Sequence, residues 1–249
     1  MNAILGIDVG ASGIKGALVN LETGKLYGER FRVPTPQPST PEAMAGAFAE
    51  IVHFFNYKGV VGCGFPAIVK NGVSQSAANI DPAWVGTNIE EVFGHAAGVR
   101  VFATNDADAA GMAEMHYGVG RNEQGLVILI TIGTGLGSAI FWKGVMLPNT
   151  EMGHLIWKNG KIAERHCSSG ARERLKISRR EWAERFNEYL QHLELLFSPD
   201  LFILGGGESK FFEQFKDQLH LKARVVPAKL LNNAGIIGAA AYAAERAKE

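Results

Sequence analysis

The chain has 249 residues, 47% of them hydrophobic, enough for one large or two modest domains around a sizeable core. Formal net charge is zero and no long basic run occurs, which argues against nucleic acid as the main partner. Cys63 and Cys167 are far apart and supply neither a disulfide framework nor a zinc knuckle, and no apolar run approaches the roughly 20 residues of a membrane span. The N-terminus enters a strand almost at once with no signal peptide, so a cytoplasmic protein is expected.

Ile4 to Val9 is a short, mostly branched apolar run and predicts a buried strand. Gly10 and Gly13 predict a tight turn, and Ile14 to Val19 the returning strand. Such a turn aims backbone N–H groups and the Ser12 hydroxyl at whatever lies above it, a geometry suited to phosphate. Asp8 ends the first strand, where a carboxylate can hold hydrated Mg²⁺ against phosphate oxygens; Lys15 adds a positive charge if it faces the same side. The spacing fits neither the dinucleotide glycine fingerprint nor a Walker loop, since both open a helix. The same residues also fit an ordinary glycine hairpin with a solvated aspartate.

Leu26 to Val33 predicts a third strand, and Pro34 to Pro41 an extended surface connection. Thr40 is a candidate cap for a helix from Pro41 to about Phe55, with Met44, Phe48, Ile51, Val52 and Phe55 on its apolar face. Val60 to Phe65 predicts a strand, and Asn71-Gly72 signals a hairpin. The polar loop from Asn79 to Asn88 contains Trp84, which either packs against a sugar or belongs to a long connection. Asn88 caps a helix from Ile89. Arg100 to Thr104 predicts a strand that runs into Asn105-Asp106 and a helix to about Tyr117. Two polar side chains then sit at the carboxyl edge of a sheet, where open α/β sheets bind ligands. Either residue equally suits a plain helix cap.

Leu126 to Ile132 is a strongly apolar strand, turned back by Gly133-Thr134-Gly135-Leu136-Gly137 into Ser138 to Trp142. This repeats the layout of the opening stretch, so the chain reads as two related α/β halves, each presenting a phosphate-type hairpin. Glu151 and His154 lie in a loop bracketed by Gly and Pro and suit hydrogen bonding to hydroxyls; a solvated turn has the same signature. Lys158 to Ser178 is charged and mixed. Trp182, Phe186, Leu190, Leu193 and Phe197 form the core stripe of a helix over 179–197. Leu201 to Leu204 is a buried strand, and Gly205-Gly206-Gly207 leads through Lys210 into a helix, a third anion or nucleotide surface. After a short strand at Arg224 to Val226, Asn232-Asn233-Ala234-Gly235 opens a helix rich in Ala and Gly, suited to close packing across a domain boundary.

Asp8-x-Gly-x-Ser-x-x-Lys15, Asn105-Asp106, Ile132-Gly-Thr-Gly135, Glu151-x-Gly-His154 and Leu204-Gly-Gly-Gly207 occur in the order of the ROK family of sugar kinases and repressors. Ala78-Asn-Ile-Asp81, Asn105 through Met115, Pro148 through Leu155, Phe197 through Phe202 and Asn232 through Ala239 resemble its bacterial polyphosphate glucokinase and glucomannokinase subgroup. The resemblance covers nearly the whole chain. It implies an α/β protein of the actin-like ATPase (ribonuclease H-like) class, two duplicated domains with a cleft that closes on the sugar. Residues 1–108 are the expected N-terminal domain and 109–249 the C-terminal one, with the helix over 234–248 packing back on the first. The implied activity is phosphorylation of the 6-hydroxyl of glucose or a close hexose from polyphosphate, ATP or both, with Mg²⁺. Asp106 resembles the catalytic base, accepting the hydroxyl proton as the phosphoryl group transfers. Gly64, Asn79, Asn105, Glu151 and His154 resemble sugar contacts. Asp8, Gly10, Ala11, Ser12, Gly13 and Lys15 resemble the first donor loop, with Asp8 near Mg²⁺ through water; Thr131, Gly133, Thr134 and Gly135 resemble the second. Gly205, Gly206, Gly207 and Lys210 would border the base of ATP or the outer polyphosphate chain. A homodimer is expected, with neither nucleic acid nor membrane as partner.

Three departures stand out. The region 164–172 has one cysteine where many relatives carry a zinc loop, so no structural zinc is expected. Ser169 stands where the resemblance leads one to expect a sugar-binding carboxylate, with Glu164 and Glu173 as neighbours able to substitute. Leu231 stands where Arg is expected; Lys210, Lys229 and Arg121 remain as basic contacts or as plain surface charges. The competing readings are a sugar sensor or regulator without its own DNA-binding domain and an ATPase with a protein client. Only three residues precede the first strand, where such repressors place a helix-turn-helix.

Overall fold

Two five-stranded sheets are wound on one plan in the computed structural model, which describes residues 3–248. The chain runs through β1 (Ala3–Gly10), β2 (Gly13–Asn20), β3 (Leu26–Val33), α1 (Pro41–Phe54), β4 (Val61–Phe65), β5 (Val69–Lys70), β6 (Val73–Ser74), α2 (Ile89–Ala97), β7 (Val101–Asn105) and α3 (Asp106–Tyr117). It continues through β8 (Leu126–Ile132), β9 (Leu136–Trp142), β10 (Val145–Leu147), α4 (Glu164–Cys167), α5 (Ser169–Leu175), α6 (Arg179–Phe197), β11 (Leu201–Gly205), β12 (Arg224–Pro227) and α7 (Ala234–Arg246). These elements form two compact units: the chain up to Tyr117 joined by the chain from Asn233 onward, and Gly118–Asn232. The expected boundary at residue 108 would cut α3, which lies whole in the first unit. The C-terminal α7 belongs to that unit as well.

The strand order is β3-β2-β1-β4-β7 in one sheet and β10-β9-β8-β11-β12 in the other. In each, an antiparallel three-stranded meander is followed by two parallel strands. The repetition read from the two glycine hairpins thus extends to whole units.

Side chains alternate along a strand, and the first sheet uses its two faces differently. Leu5, Ile7 and Val9, with Val61, Cys63 and Phe65, point to a core completed by Met44, Phe48 and Ile51 of α1 and by Ile89 and Phe93 of α2. The intervening Gly6 and Gly62 face α7, and the reason is steric. A Cβ on Gly6 would collide with the Ile236 carbonyl, one on Gly62 with that of Ala239, and one on Gly238 of α7 with that of Ala109 in α3. Helix backbone therefore rests directly on strand backbone, which explains the Ala and Gly content of α7. In the second sheet, Ile128, Ile130 and Ile132 of β8 and Phe202 and Leu204 of β11 pack under Trp182, Phe186, Tyr189, Leu190 and Leu193 of α6.

Trp84 is a core residue and not a sugar platform. It is fully buried, its indole Nε1 donates to the Ser39 carbonyl at 3.0 Å, and its ring meets Phe65 and Phe93 edge-on. The helix expected after the triple glycine is a kinked 3₁₀ helix over Gly207–Gln214. The Asn71-Gly72 hairpin joins β5 to β6 with both residues at positive φ, the twist that a two-residue hairpin needs.

Candidate active site

In the first unit a single row of paired residues crosses the sheet: Thr104 of β7, Gly64 of β4, Asp8 of β1, Lys15 of β2 and Arg32 of β3. Residues directly opposite share a face, so Lys15 lies on the same side as Asp8. Burial raises the Asp8 carboxyl above its ordinary value of 3.8, and the positive charges of Lys15 and Arg30 oppose part of that rise. The carboxylate lies against α7, where a Cβ on Gly235 would come within 2.7 Å of its Oδ1.

The Gly10–Gly13 turn is tied down by β3 and the segment after it. Arg32 donates from its guanidinium to the Ser12 carbonyl at 2.6 Å, and the Thr35 hydroxyl donates to the Gly10 carbonyl at 2.6 Å. Arg32 also packs on the α-carbon of Gly13. The sequence reading missed Arg32, which is 20 residues from the turn; its register opposite Lys15 is the signal that exposes it.

Asp106 is the first residue of α3 and Asn105 the last of β7. Asn105 is 7% exposed and its side chain is committed at both ends. Its Oδ1 accepts from the amides of Ala107 at 2.9 Å and Asp108 at 3.2 Å, and its Nδ2 donates to the Ala67 carbonyl at 3.0 Å. It therefore caps α3 and ties the cap to the chain after β4. Asp106 Oδ1 accepts from the Ala107 amide at 2.8 Å, at a helix N-terminus where a negative charge is favoured. Gly64 comes close: a Cβ there would lie 3.8 Å from the Asp106 α-carbon and 3.7 Å from the Gly235 carbonyl oxygen. Asp8, Gly64, Asp106 and Gly235 thus meet at one edge of one sheet. Asn79 is exposed in the loop before the Pro82–Trp84 turn.

The second unit assembles the other expected residues. The hairpin is pinned by Gly133 N donating to the Gly135 carbonyl at 3.1 Å. Thr131 pairs with Gly205 in the parallel register of β8 and β11. Gly206 has φ of 79°, and a Cβ on it would come within 2.5 Å of the Ile132 backbone, so glycine is required there. Gly207 has open space beside its α-carbon, and Lys210 is exposed. Glu151 precedes and His154 ends a 3₁₀ turn over Met152–His154, and His154 Nδ1 lies 3.1 Å from Glu151 Oε2. The turn is docked on β9 through the Ser138 hydroxyl, which accepts from the Met152 amide at 3.0 Å, and Gly153 lies against the Leu136 carbonyl.

Ser169 donates to Glu208 Oε2 at 3.2 Å. Of its neighbours, Glu164 accepts from the Leu136 amide at 3.3 Å and sits against Gly135, while Glu173 is exposed. Both cysteines are buried free thiols. Among the described residues no three His, Cys, Asp or Glu side chains converge as a metal-binding cluster. A lone carboxylate such as Asp8 fits Mg²⁺, which keeps several waters and takes its other ligands from phosphates.

A family model described as ROK family matches residues 4–176. Polyphosphate glucokinase of Mycobacterium tuberculosis is 47% identical over 236 residues, spanning 94% of this chain and 89% of that protein. The crystal structure of inorganic polyphosphate/ATP-glucomannokinase from Arthrobacter sp. strain KM matches with a TM-score of 0.94 at 46% identity, over 99% of this chain and 100% of that one. A ROK family glucokinase from Streptomyces griseus, solved in complex with glucose and AMPPNP, matches with a TM-score of 0.79 at 24% identity over 98% of this chain and 99% of that one. The Arthrobacter match and the repeated sheet order show the duplicated α/β fold of actin-like ATPases, and the Streptomyces likeness agrees in fold.

Proposed function

The chain belongs to the ROK family, and on that premise we propose that it is a hexokinase moving a phosphoryl group from polyphosphate or ATP to the 6-hydroxyl of glucose, with mannose as a second acceptor. The observation that carries this reading is the 47% identity to a polyphosphate glucokinase across 94% of the chain.

Asp106 is the general base. As the new O–P bond forms at the sugar 6-oxygen, the hydroxyl proton passes to the Asp106 carboxylate and the donor leaves shortened by one phosphate. Asn105 serves this step by fixing the helix start that carries Asp106. Glu151 and His154, with Gly64 and Asn79, contact the sugar hydroxyls. The backbone of Gly10, Ala11, Ser12 and Gly13, with Lys15, receives donor phosphates; Thr131, Gly133, Thr134 and Gly135 supply a second cradle. Gly205, Gly206, Gly207 and Lys210 border the far part of the donor. Asp8 would hold hydrated Mg²⁺, and the ion when bound would neutralise charge developing on the phosphates. Arg32 joins this set because its guanidinium is fastened to the first turn. A homodimeric state and a cytoplasmic location accompany the reading.

Purified protein incubated with Mg²⁺, glucose or mannose, and either polyphosphate or ATP is expected to form the sugar 6-phosphate. No product with either donor would favour a sugar-binding regulator instead.

A further inference from the structure

Three consecutive residues at the start of α5 touch both glycine loops of the second unit. The Ser168 hydroxyl donates to the Thr134 carbonyl at 3.0 Å, and the Gly170 amide donates to the Gly133 carbonyl at 3.2 Å. Gly170 is close enough to the hairpin that a Cβ would collide with the Thr134 carbonyl. Ser169, between them, donates to Oε2 of Glu208, the residue directly after Gly205–Gly207. The tripeptide is itself held in place, because Ser168 Oγ accepts from the Ala171 amide at 3.0 Å as the cap of α5.

Glu208 is 4% exposed, and a carboxylate so buried must be paired. Arg179 Nε donates to its Oε1 at 2.7 Å, and Arg172 Nη2 lies 3.7 Å from its Oε2. Arg179 also bonds the Gln214 side chain and lies over the Phe211 ring, 4.1 Å from its centroid. Its planar guanidinium therefore fixes both ends of the 3₁₀ helix that follows the triple glycine. One chain of contacts runs from the hairpin through α5 to the triple-glycine loop, and neither loop can shift without straining it.

We propose that Ser169 and Glu208 are positioning residues for the phosphoryl donor: they lock the 133–135 hairpin and the 205–207 loop at one spacing. This rests on the kinase reading, in which both loops serve the donor and neither serves the sugar. A loop that must be ordered at each binding event weakens affinity for whatever it binds. Donor affinity therefore depends on Ser169 and Glu208, while sugar affinity does not. The serine standing in place of an expected sugar carboxylate has taken a different task.

Two measurements on Ser169→Ala test this. Amide hydrogen exchange needs no activity: both 133–136 and 205–209 should exchange faster than in the parent protein. In steady-state kinetics the KM for polyphosphate and for ATP should rise roughly three- to tenfold, the loss of part of one hydrogen bond to a charged group. The glucose KM and the melting temperature should stay close to those of the parent, and Ser169→Thr should restore the donor KM. Should Ser169→Ala fold poorly, Ser169→Cys, which keeps the size of the side chain and leaves only a weak donor, gives the same readouts. Unchanged exchange in either loop, or an unchanged donor KM, would overturn the proposal. A rise confined to the glucose KM would overturn it too and return Ser169 to the sugar site. Parent protein inactive with both donors would refute the kinase reading and the donor role together, whereas the exchange data alone decide whether the loops are joined.

Discussion

The α-carbon of Gly235 lies against the carboxylate of Asp8, so close that a methyl there would come within 2.7 Å of Oδ1. The first turn of α7 thus sets where the Asp8 carboxylate can point, although the two residues are separated by nearly the whole chain. Gly235→Ala should push Asp8 aside. We expect turnover to fall roughly tenfold or more, with a stability loss of about 1–3 kcal/mol from overpacking. Activity assays beside denaturant titration separate the two effects; full activity would show that Asp8 need not hold this position.

Asp8 itself should trade stability for function. Burial raises its carboxyl above the unfolded value of 3.8, so the charged form is the less favoured one in the folded protein. The sign follows from linkage: stability is greatest below the unfolded value, where the group is protonated, and falls as pH rises through the raised value. Asp8→Asn removes that cost. Thermal denaturation should find the variant at least as stable as the parent at pH 7–8, with the difference shrinking toward pH 4. Its Mg²⁺-dependent phosphorylation should meanwhile fall by roughly 10²-fold or more. A variant less stable at neutral pH would show that the carboxylate earns its place structurally.

The glycines divide into two classes with opposite outcomes. A Cβ on Gly62 or Gly238 would run into helix backbone, so Gly62→Ala or Gly238→Ala should cost about 3 kcal/mol or leave the protein unfolded. Gly207 has open space around its α-carbon, and Gly207→Ala should leave the denaturation midpoint unchanged. Any effect of Gly207→Ala should be confined to the donor KM.

Asn105 offers a contrast between capping and sugar binding. Asn105→Ala removes a helix cap and leaves the Ala67 carbonyl without that donor, together about 2 kcal/mol. Melting temperature and turnover should both fall, because Asp106 loses its anchor. A raised glucose KM with unchanged stability would instead mark Asn105 as a direct sugar ligand.

What the sequence disclosed was local. The two glycine hairpins, the Asn105-Asp106 step from strand to helix and the Asn71-Gly72 turn each depend on backbone preferences within a few residues. Trp84 was ambiguous in the sequence because its fate depends on Phe65, Phe93 and Ser39, which lie in other elements. The return of α7 to the first unit follows from the family resemblance, but its physical cause is long-range: Gly6, Gly62 and Gly238 are matched to the carbonyls they meet. Glu208 reads in sequence as one more polar residue after a glycine run. Its burial between Arg172 and Arg179 emerges only once α5, α6 and the 3₁₀ helix are folded together.

Glucose 6-phosphate formation by Asp106→Asn, measured beside the parent protein with Mg²⁺ and each donor in turn, decides whether Asp106 is the proton acceptor. The substitution keeps the shape of the side chain and removes the proton acceptor. Product is expected from the parent, and turnover lower by roughly 10² or more in the variant, with sugar binding retained. Equal turnover in the two proteins would contradict that role.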